Sequence, residues 1–208
     1  MSTVIMHSVV SVDGFIADAK DQVGPLFDWY VNGDVPIIDG GGFKVSPASA
    51  DYVKTMWAGI GSMVIGRHLF DITDGWQGVP PAGDHVIVVS HRPRPGDWNP
   101  EGFHPAHPRE RQAPYHFISD VAQAIAKARE LAGERIVAVA AGDAGGQALA
   151  LGLVDEVAMD VVPVVFGSGK RYFGSVDAQH LLEDPHTVIQ GNRVLHLRYR
   201  VRRTAAET

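Results

Sequence analysis

Short apolar segments rich in valine and isoleucine alternate with helical segments, and this alternation most constrains the fold. Strands are predicted at 4–12, 62–65, 85–89, 136–141 and 157–165. Helices are predicted at 46–57, at 119–131 and directly after Gly142, because apolar residues recur there at helical spacing and serine or aspartate can cap the starts. Strands alternating with helices favour a largely parallel sheet, so we expect an α/β domain.

The C-terminal part departs from this alternation. Residues His186–Ile189 and Val194–Val201 flank a turn at Gln190-Gly191-Asn192, which predicts an antiparallel hairpin at one edge of the sheet. Residues 18–45 and 93–114 are rich in glycine, aspartate or proline and are expected to be irregular loops. No repeat or linker divides the chain, so we expect one domain over 1–203 and a short tail at 204–208.

Charge and composition exclude several classes of function. Acidic residues outnumber basic ones by 24 to 18, which argues against a nucleic-acid-binding surface. The basic residues near the C-terminus alternate with apolar ones and predict the solvated face of a strand; they are Arg198, Arg200, Arg202 and Arg203. The absence of cysteine excludes disulfides and thiolate chemistry. The N-terminus resembles neither a signal peptide nor a membrane span, so a cytoplasmic protein is expected.

Four predicted strands end in residues suited to ligand binding. These ends are Asp13-Gly14-Phe15-Ile16-Ala17, Gly66-Arg67-His68, Ser90-His91-Arg92 and Gly142-Asp143-Ala144-Gly145. Each alone is also explained as an ordinary turn or an exposed cationic pair. Together they predict a pocket for a long polyanion such as a dinucleotide with an extra phosphate, because arginine fits phosphate and glycine lets the backbone approach a pyrophosphate.

Other site motifs are missing or incomplete. No G-x-G-x-x-G follows an early strand, and GSGKR at 167–171 lacks the first glycine and the final hydroxyl of a P-loop. His104 and His107 have no third metal ligand nearby, so a metal site is not expected. No G-x-S-x-G motif is present to indicate a serine hydrolase.

The combination of motifs is similar to a known superfamily. The stretch Asp13–Ala17, with VIGRHLFD, VVSHRP and AAGDAGGQALALGLVDEVAMDVVPVVFGSGKRYF, resembles the dihydrofolate-reductase-like superfamily, in particular the C-terminal reductase domain of the bifunctional riboflavin-biosynthesis deaminase–reductase family. The resemblance extends from about Val4 to Tyr199. It implies a single dihydrofolate-reductase-like domain, NADPH as cofactor, and a homodimer built partly on the strand 157–165 and the terminal hairpin.

The resemblance also assigns the strand ends to parts of NADPH. It implies that residues 13–17 lie near the nicotinamide ribose and that residues 66–68 meet the phosphates. Residues 90–92 would surround the 2′-phosphate, and residues 142–145 would turn against the pyrophosphate. Leu69 departs from the pattern, because dihydrofolate reductases commonly have a phosphate-contacting threonine there.

The substrate-binding residues are less distinctive. Reduction of a C=N bond needs a proton donor, and a buried carboxyl group is one solution. The resemblance points to Asp51, whose alternative explanation is a first-turn acid stabilised by the helix dipole; Asp28 is a second candidate. Trp29 and Tyr30 either stack on a flat heterocycle or anchor the following loop.

Two functions from different classes follow from these observations. The first is an NADPH-dependent reductase of a small heterocycle, either pterin-like or ribosylaminopyrimidine-like. The second is a nucleotide-binding sensor or regulatory protein that keeps the NADPH cleft without turnover, which the lack of an unambiguous proton donor favours.

Overall fold

The computed structural model describes residues 2–38, 41–102 and 112–202 as an α/β domain. Its strands are β1 Val4–Ser11, β2 Phe15–Ala17, β3 Val35–Pro36, β4 Lys44–Val45, β5 Ile60–Gly66, β6 His85–Val89, β7 Tyr115–Ile118, β8 Ile136–Ala140, β9 Glu156–Val162, β10 Lys170–Arg171, β11 Thr187–Gly191 and β12 Val194–Arg200. Its α-helices are α1 Pro47–Gly59, α2 Arg67–Thr73, α3 Val121–Ala132 and α4 Asp143–Ala150. Two 3₁₀ helices cover Gly24–Val31 and Asp74–Gly78.

One eight-stranded sheet organises the domain, in the order β11-β12-β9-β1-β8-β5-β6-β7. The strands from β9 to β7 are parallel, whereas β12 runs antiparallel to β9 and pairs with β11 in the terminal hairpin. This arrangement confirms the predicted fold class. The terminal hairpin lies at one edge of the sheet as predicted, with β11 as the edge strand and β9 between β12 and β1.

The sheet is covered on both faces, which explains why its central strands are almost continuously apolar. On one face, Met6 and Val10 of β1 pack with Ile125 of α3 and Leu149 of α4. On the other face, Val9 packs with residues of α1 and of the first 3₁₀ helix. None of the helices in the described ranges is long and apolar enough to cross a membrane.

Helix capping agrees with the sequence at two starts. The Ser46 side chain accepts a hydrogen bond from the Ser49 N–H at 3.3 Å, and Pro47 is the first helical residue of α1. The Asp120 carboxylate accepts one from the Gln123 N–H at 2.8 Å at the start of α3.

Several elements were not predicted. Residues 18–45 contain a 3₁₀ helix and the short β3–β4 pair, and residues 115–118, next to the predicted loop at 93–114, form β7. Helix α2 begins directly after Gly66 without a side-chain cap. Strand β9 ends at Val162 rather than at 165, because Pro163 has no N–H to donate to a ladder. His104, His107, Arg203, the tail at 204–208 and part of the 93–114 loop lie outside the described residues.

Candidate functional site

The four predicted strand ends lie side by side at one edge of the sheet. Strands β1, β8, β5 and β6 are adjacent in that order and parallel, so their carboxyl ends meet. A Cβ atom built on Gly142 would lie 3.3 Å from Ile16 Cδ1, and one built on Gly66 would lie 3.8 Å from Ala144 Cβ. The carboxyl ends of these four strands therefore lie next to one another, and we call this row of strand ends the ligand edge.

The two glycines of the Gly142–Gly145 segment have different structural roles. Gly142 has φ 92° and ψ −155°, a conformation that is essentially restricted to glycine, and its N–H donates to the Tyr172 carbonyl at 2.7 Å. A Cβ atom on Gly145 would lie 2.7 Å from the Ala140 carbonyl oxygen. Gly145 is therefore required for packing α4 against β8, whereas Gly142 makes the turn from the strand into the helix.

Asp143 begins α4 with a carboxylate that is directed toward a neighbouring loop. Its Oδ1 accepts a hydrogen bond from the Ser175 hydroxyl at 3.2 Å, and a Cβ atom on Gly174 would lie 2.7 Å from the same oxygen. The side chain of Asp143 thus holds the 174–175 turn next to the N-terminus of α4.

Asp13 connects the end of the first strand to the turn at 166–167 by hydrogen bonds. Its carboxylate accepts hydrogen bonds from the Ser11 hydroxyl at 2.6 Å, the Gly167 N–H at 2.7 Å and the Phe166 N–H. The Ser11 hydrogen bond and those backbone N–H groups hold the pKa of Asp13 below its usual range, although partial desolvation opposes them. Gly14 has φ 87° and no atom within 4 Å of its Cβ position, so its backbone can be approached closely.

Residues 15–17 form a short strand rather than a loose turn. Phe15 and Ala17 pair with β10 at Arg171 and Lys170, and Ala17 is buried. The middle residue, Ile16, is the one that approaches Gly142. Among the three, Ile16 is therefore best placed to contact a ligand at this edge.

An acid, Asp71, joins the two arginines of the ligand edge. Its Oδ1 pairs with Arg67 Nε at 2.6 Å and its Oδ2 pairs with Arg92 Nη2 at 2.7 Å. Burial opposes ionisation, but the two guanidinium groups outweigh it and lower the pKa of Asp71. Arg67 also donates to the Ser90 hydroxyl and to the Pro93 carbonyl at 3.0 Å.

These contacts separate the roles of the two arginines. The Arg67 side chain is 15% exposed and holds the 90–93 segment in place, whereas the Arg92 side chain is 65% exposed. The Ser90 hydroxyl donates to the Arg92 carbonyl at 2.6 Å and accepts from its N–H, which shapes the same turn. Arg92 is thus better placed than Arg67 to bind a phosphate directly.

The two histidines of the ligand edge are exposed. His68 is 58% exposed and lies 3.2 Å from Asp21 Oδ1, which also lies 3.4 Å from Lys170 Nζ. His91 is exposed next to Arg92. These cationic groups and the open backbone at Gly14 fit a ligand that carries several phosphates.

The structure corrects the expectation about Asp51. This residue is exposed and lies in the second turn of α1, so it is neither a buried carboxyl nor a first-turn acid. Its carbonyl accepts a hydrogen bond from the Thr55 hydroxyl at 2.8 Å. Asp28 is exposed as well. Neither acid has the environment that would favour proton donation.

Trp29 and Tyr30 form part of the core. They are 2% and 7% exposed, their rings stack at 4.0 Å, and both belong to the cluster between the first 3₁₀ helix and the sheet. Burial raises the pKa of Tyr30 far above its usual value. The anchoring interpretation agrees with this burial, and stacking of these rings on a substrate does not.

A buried polar cluster was missed by the sequence interpretation. Asp160 of β9 is 1% exposed and contacts His7 of β1 at 2.9 Å and His196 of β12 at 2.6 Å. Asp160 is a charged residue within the apolar stretch VAMDVV of β9, and that is the signal that could have identified it. The cluster lies on the sheet face covered by α1.

Two further observations limit where chemistry can take place. Within the described ranges, no group of three or more histidine, aspartate or glutamate side chains is arranged to hold a metal ion. A cavity of about 250 Å³ is lined by Ile38, Trp57 and Pro81 among others. It lies at the C-terminal end of α1, away from the ligand edge.

Comparison with known proteins agrees with this fold. A search of curated protein sequences gave no match. A candidate riboflavin biosynthesis protein from Shewanella sp. PV-4 superposes with a TM-score of 0.66 at 17% identity, covering 98% of this chain and 100% of that one. A pyrimidine reductase-like protein from Corynebacterium diphtheriae gives 0.58 at 16% identity, covering 98% and 93%.

A bifunctional protein is also similar, over part of its length. The diaminohydroxyphosphoribosylaminopyrimidine deaminase/5-amino-6-(5-phosphoribosylamino)uracil reductase from Thermotoga maritima has a TM-score of 0.62 at 13% identity. The match covers 96% of this chain and 56% of that protein, so the chain spans little more than half of it. The family model of the RibD C-terminal domain matches residues 2–196. The chain therefore belongs to the RibD C-terminal domain family.

Proposed function

We propose that the protein is an NADPH-dependent reductase of a pyrimidine that carries a ribosylamino substituent. Membership of the RibD C-terminal domain family makes the protein an oxidoreductase. The choice of pyrimidine is supported by the reductase name of the Thermotoga maritima relative and by the pyrimidine reductase-like protein of Corynebacterium diphtheriae.

The observation that carries the proposal is the ligand edge itself. Open α/β sheets bind ligands beyond the carboxyl ends of their strands. Here that edge combines the glycine-only turn at Gly142 with the exposed side chain of Arg92. A ligand that fits both a close backbone approach and a cationic group at the other end is an extended polyanion, as NADPH is.

The residues of the ligand edge suggest how this chain would hold NADPH. Arg92, with His91 beside it, would bind the 2′-phosphate, and the turn at Gly142 would admit the pyrophosphate. Gly14 and Ile16 would lie near the nicotinamide ribose. When bound, NADPH supplies the hydride; this chain supplies the orientation of both ligands and the proton.

A second candidate function is favoured by the exposure of Asp51. A nucleotide-binding sensor would keep the ligand edge but would need no proton donor, and Asp51 is exposed rather than buried as a donor was expected to be. NADPH binding without turnover would distinguish a sensor from a reductase.

The test follows NADPH absorbance with 5-amino-6-(5-phosphoribosylamino)uracil as the substrate. The reductase proposal expects oxidation of NADPH that depends on the pyrimidine, and a much higher KM for NADPH in Arg92→Ala. The matched control is Arg193→Ala, on the turn between β11 and β12 at the far edge of the sheet. NADPH binding with no oxidation in the presence of this pyrimidine or of pterins would contradict the reductase and support the sensor.

A further inference from the structure

A chain of five polar side chains crosses from α1 into the sheet. The Ser46 hydroxyl contacts the Ser49 hydroxyl at 3.1 Å, and the Ser49 hydroxyl contacts His196 Nε2 at 3.0 Å. His196 Nδ1 lies 2.6 Å from Asp160 Oδ1, and His7 Nε2 lies 2.9 Å from Asp160 Oδ2. Because Asp160 and His196 are 1% and 0% exposed, water does not compete for these contacts.

The hydrogen bonds of this chain have one consistent direction. The Ser46 hydroxyl donates to Ser49, whose own N–H donates back to Ser46. Because the ionised Asp160 can only accept, His196 Nδ1 carries the proton given to it, and neutral His196 then accepts from the Ser49 hydroxyl at Nε2. His7 Nε2 donates to the other oxygen of Asp160. In this arrangement both nitrogens of His196 are occupied, whereas His7 Nδ1 has no hydrogen bond to a described residue.

The central acid is held in its charged form. Burial opposes ionisation of Asp160, but the charge of His7 and the hydrogen bonds from His196 and His7 outweigh it, so the pKa of Asp160 lies well below its usual range. An ionised carboxylate in a buried site favours a positive charge on its partner. His7 is the partner with a free nitrogen, and its side chain is 18% exposed.

Other titratable groups face this centre from the packed elements. They are Tyr30 from the first 3₁₀ helix, Tyr52 from α1, Tyr172 after β10, Glu156 from β9 and Arg198 from β12. Burial raises the pKa of all three tyrosines, so they stay neutral near pH 7. Glu156 and Arg198 pair with each other. Asp160 is therefore the ionised group in direct contact with His7.

The geometry of Ser49, His196 and Asp160 is that of a hydrolytic triad, but its burial excludes that use. Ser49 is 0% exposed, and a Cβ atom on Gly191 would lie only 2.0 Å from its hydroxyl oxygen. No ester or peptide can reach an oxygen covered in this way. The group that is partly exposed to solvent is His7, which lies at the opposite end of this row of hydrogen-bonded side chains from Ser46.

His7 lies close to the ligand edge. Its carbonyl accepts a hydrogen bond from the Ala141 N–H at 3.2 Å, and it pairs in register with Ala140, the last residue of β8. Gly142 is therefore two residues farther along, about 7 Å at the rise of a strand. On the β8 side, His7 faces the small, partly exposed Ala140. On the β9 side its register partner is Ala158, and its side chain contacts Asp160 two residues farther along that strand.

We propose that His7 is the proton donor of the reductase, acting through Nδ1, and that Asp160 and His196 are positioning residues that hold its ring. The proposal rests on the proposed function. His7 takes the place of the exposed Asp51 as donor because it has a charged, buried partner, a nitrogen without a hydrogen bond to a described residue, and a backbone that pairs with the end of β8.

The proton balance of the step is simple. As the substrate carbon of a C=N or C=O bond gains the hydride, the electron pair of that bond moves to nitrogen or oxygen. That atom takes the proton from His7 Nδ1, which leaves neutral His7 with its Nε2–H still bonded to Asp160. Water then returns a proton to Nδ1.

The first test is His7→Gln, because the glutamine amide can still donate to Asp160 but cannot titrate. We expect kcat to fall by about 10²- to 10⁴-fold, the usual contribution of a general acid, with NADPH affinity unchanged. The alkaline decline of the wild-type pH profile should be absent from the variant. His7→Ala should regain part of its kcat when imidazole is added. The matched control is His186→Gln, an exposed histidine at the far hairpin, which should keep both kcat and the pH profile.

The second test does not depend on turnover. In protein with ¹⁵N-labelled histidine, adding NADP⁺ and then the pyrimidine should shift the His7 ring signals, and Asp160→Asn should move the His7 Nε2–H signal without ligand. If the wild type does not oxidise NADPH with this pyrimidine, the proposed function is wrong. The shifts of the His7 ring signals would then still show whether His7 lies next to the bound ligands. Ring signals of His7 that respond to neither ligand, or an unchanged kcat in His7→Gln, would overturn the proposal.

Discussion

Replacing Asp160 with asparagine should strongly destabilise the fold, because this buried carboxylate is the counter-charge of His7 and also accepts a hydrogen bond from His196. Asparagine has nearly the same volume, so the change leaves no cavity, but it removes the charge and replaces one of the two acceptor oxygens with an N–H donor. Asp160 is 1% exposed and accepts hydrogen bonds at 2.6 Å and 2.9 Å. Removing one member of a buried ion pair costs about 3–5 kcal/mol. For a chain of this length that corresponds to about 6–20 °C in Tm.

The assay is urea unfolding at pH 7, followed by tryptophan fluorescence, with the free energy of unfolding extrapolated to water. Glu156→Gln is the comparison, because Glu156 lies on the same strand but its side chain is 14% exposed and its partners Arg198 and His186 are partly exposed. We expect the free energy of unfolding to fall less in Glu156→Gln than in Asp160→Asn, since water can replace the lost contacts of Glu156. A loss below about 1 kcal/mol for Asp160→Asn would refute the reasoning, because it would mean that the carboxylate is not a charged, buried group.

The same acid gives a defined pH dependence. Because the pKa of Asp160 is lower in the folded protein than in the unfolded chain, the unfolded chain binds more protons below about pH 4. The stabilising contribution is therefore complete above that pH and decreases as the pH falls toward the folded-state pKa. Asp160→Asn should lack this acid-dependent part, so its free energy of unfolding should approach that of the wild type as the solution becomes more acidic.

Three further predictions concern the ligand edge and the assembly. Arg92→Ala should weaken NADPH binding by about 1–3 kcal/mol in calorimetric titration and leave NADH nearly unchanged, because a charge-assisted contact to the 2′-phosphate is lost; equal losses would contradict the role of Arg92. Gly142→Ala should reduce the free energy of unfolding by about 1–3 kcal/mol, because φ 92° strains any other residue, and an unaltered urea midpoint would contradict this. Light scattering should give twice the 22.4 kDa monomer mass for a two-fold dimer at the exposed edge β11, and Val188→Lys should return it to the monomer; a dimer unaffected by Val188→Lys would place the interface elsewhere.

The strands that are buried on both faces are the elements that the sequence predicts best. Strand β6 has the predicted bounds, His85–Val89, because a continuous apolar run is what a central parallel strand requires. Strand β7 was missed because its four residues, including His116, are only partly buried and follow a proline-rich segment. Helix α2 was missed because Gly66 provides no side-chain cap, so no residue marks its start.

The position of the ligand edge was predictable, but the contacts within it were not. Parallel strands bring their carboxyl ends together whatever the side chains do, so four suggestive ends predict one edge. The bridge through Asp71 depends on the helix after β5 facing the turn after β6, which brings Arg92 to an acid 21 residues earlier in the chain. Nothing local to Asp71 indicates that contact.

A local pattern can single out Asp160, but it cannot identify the partners of that residue. Along the chain, His7 and Asp160 are 153 residues apart, and nothing in the sequence of either strand pairs one with the other. They meet because β9 pairs with β1 on one side and with β12 on the other, and because Asp160 is in register with His196. The centre is therefore incomplete until the C-terminal hairpin docks on β9. Changes that loosen β12 should then disturb the His7 ring as well, although no residue of the hairpin touches it directly among the contacts described.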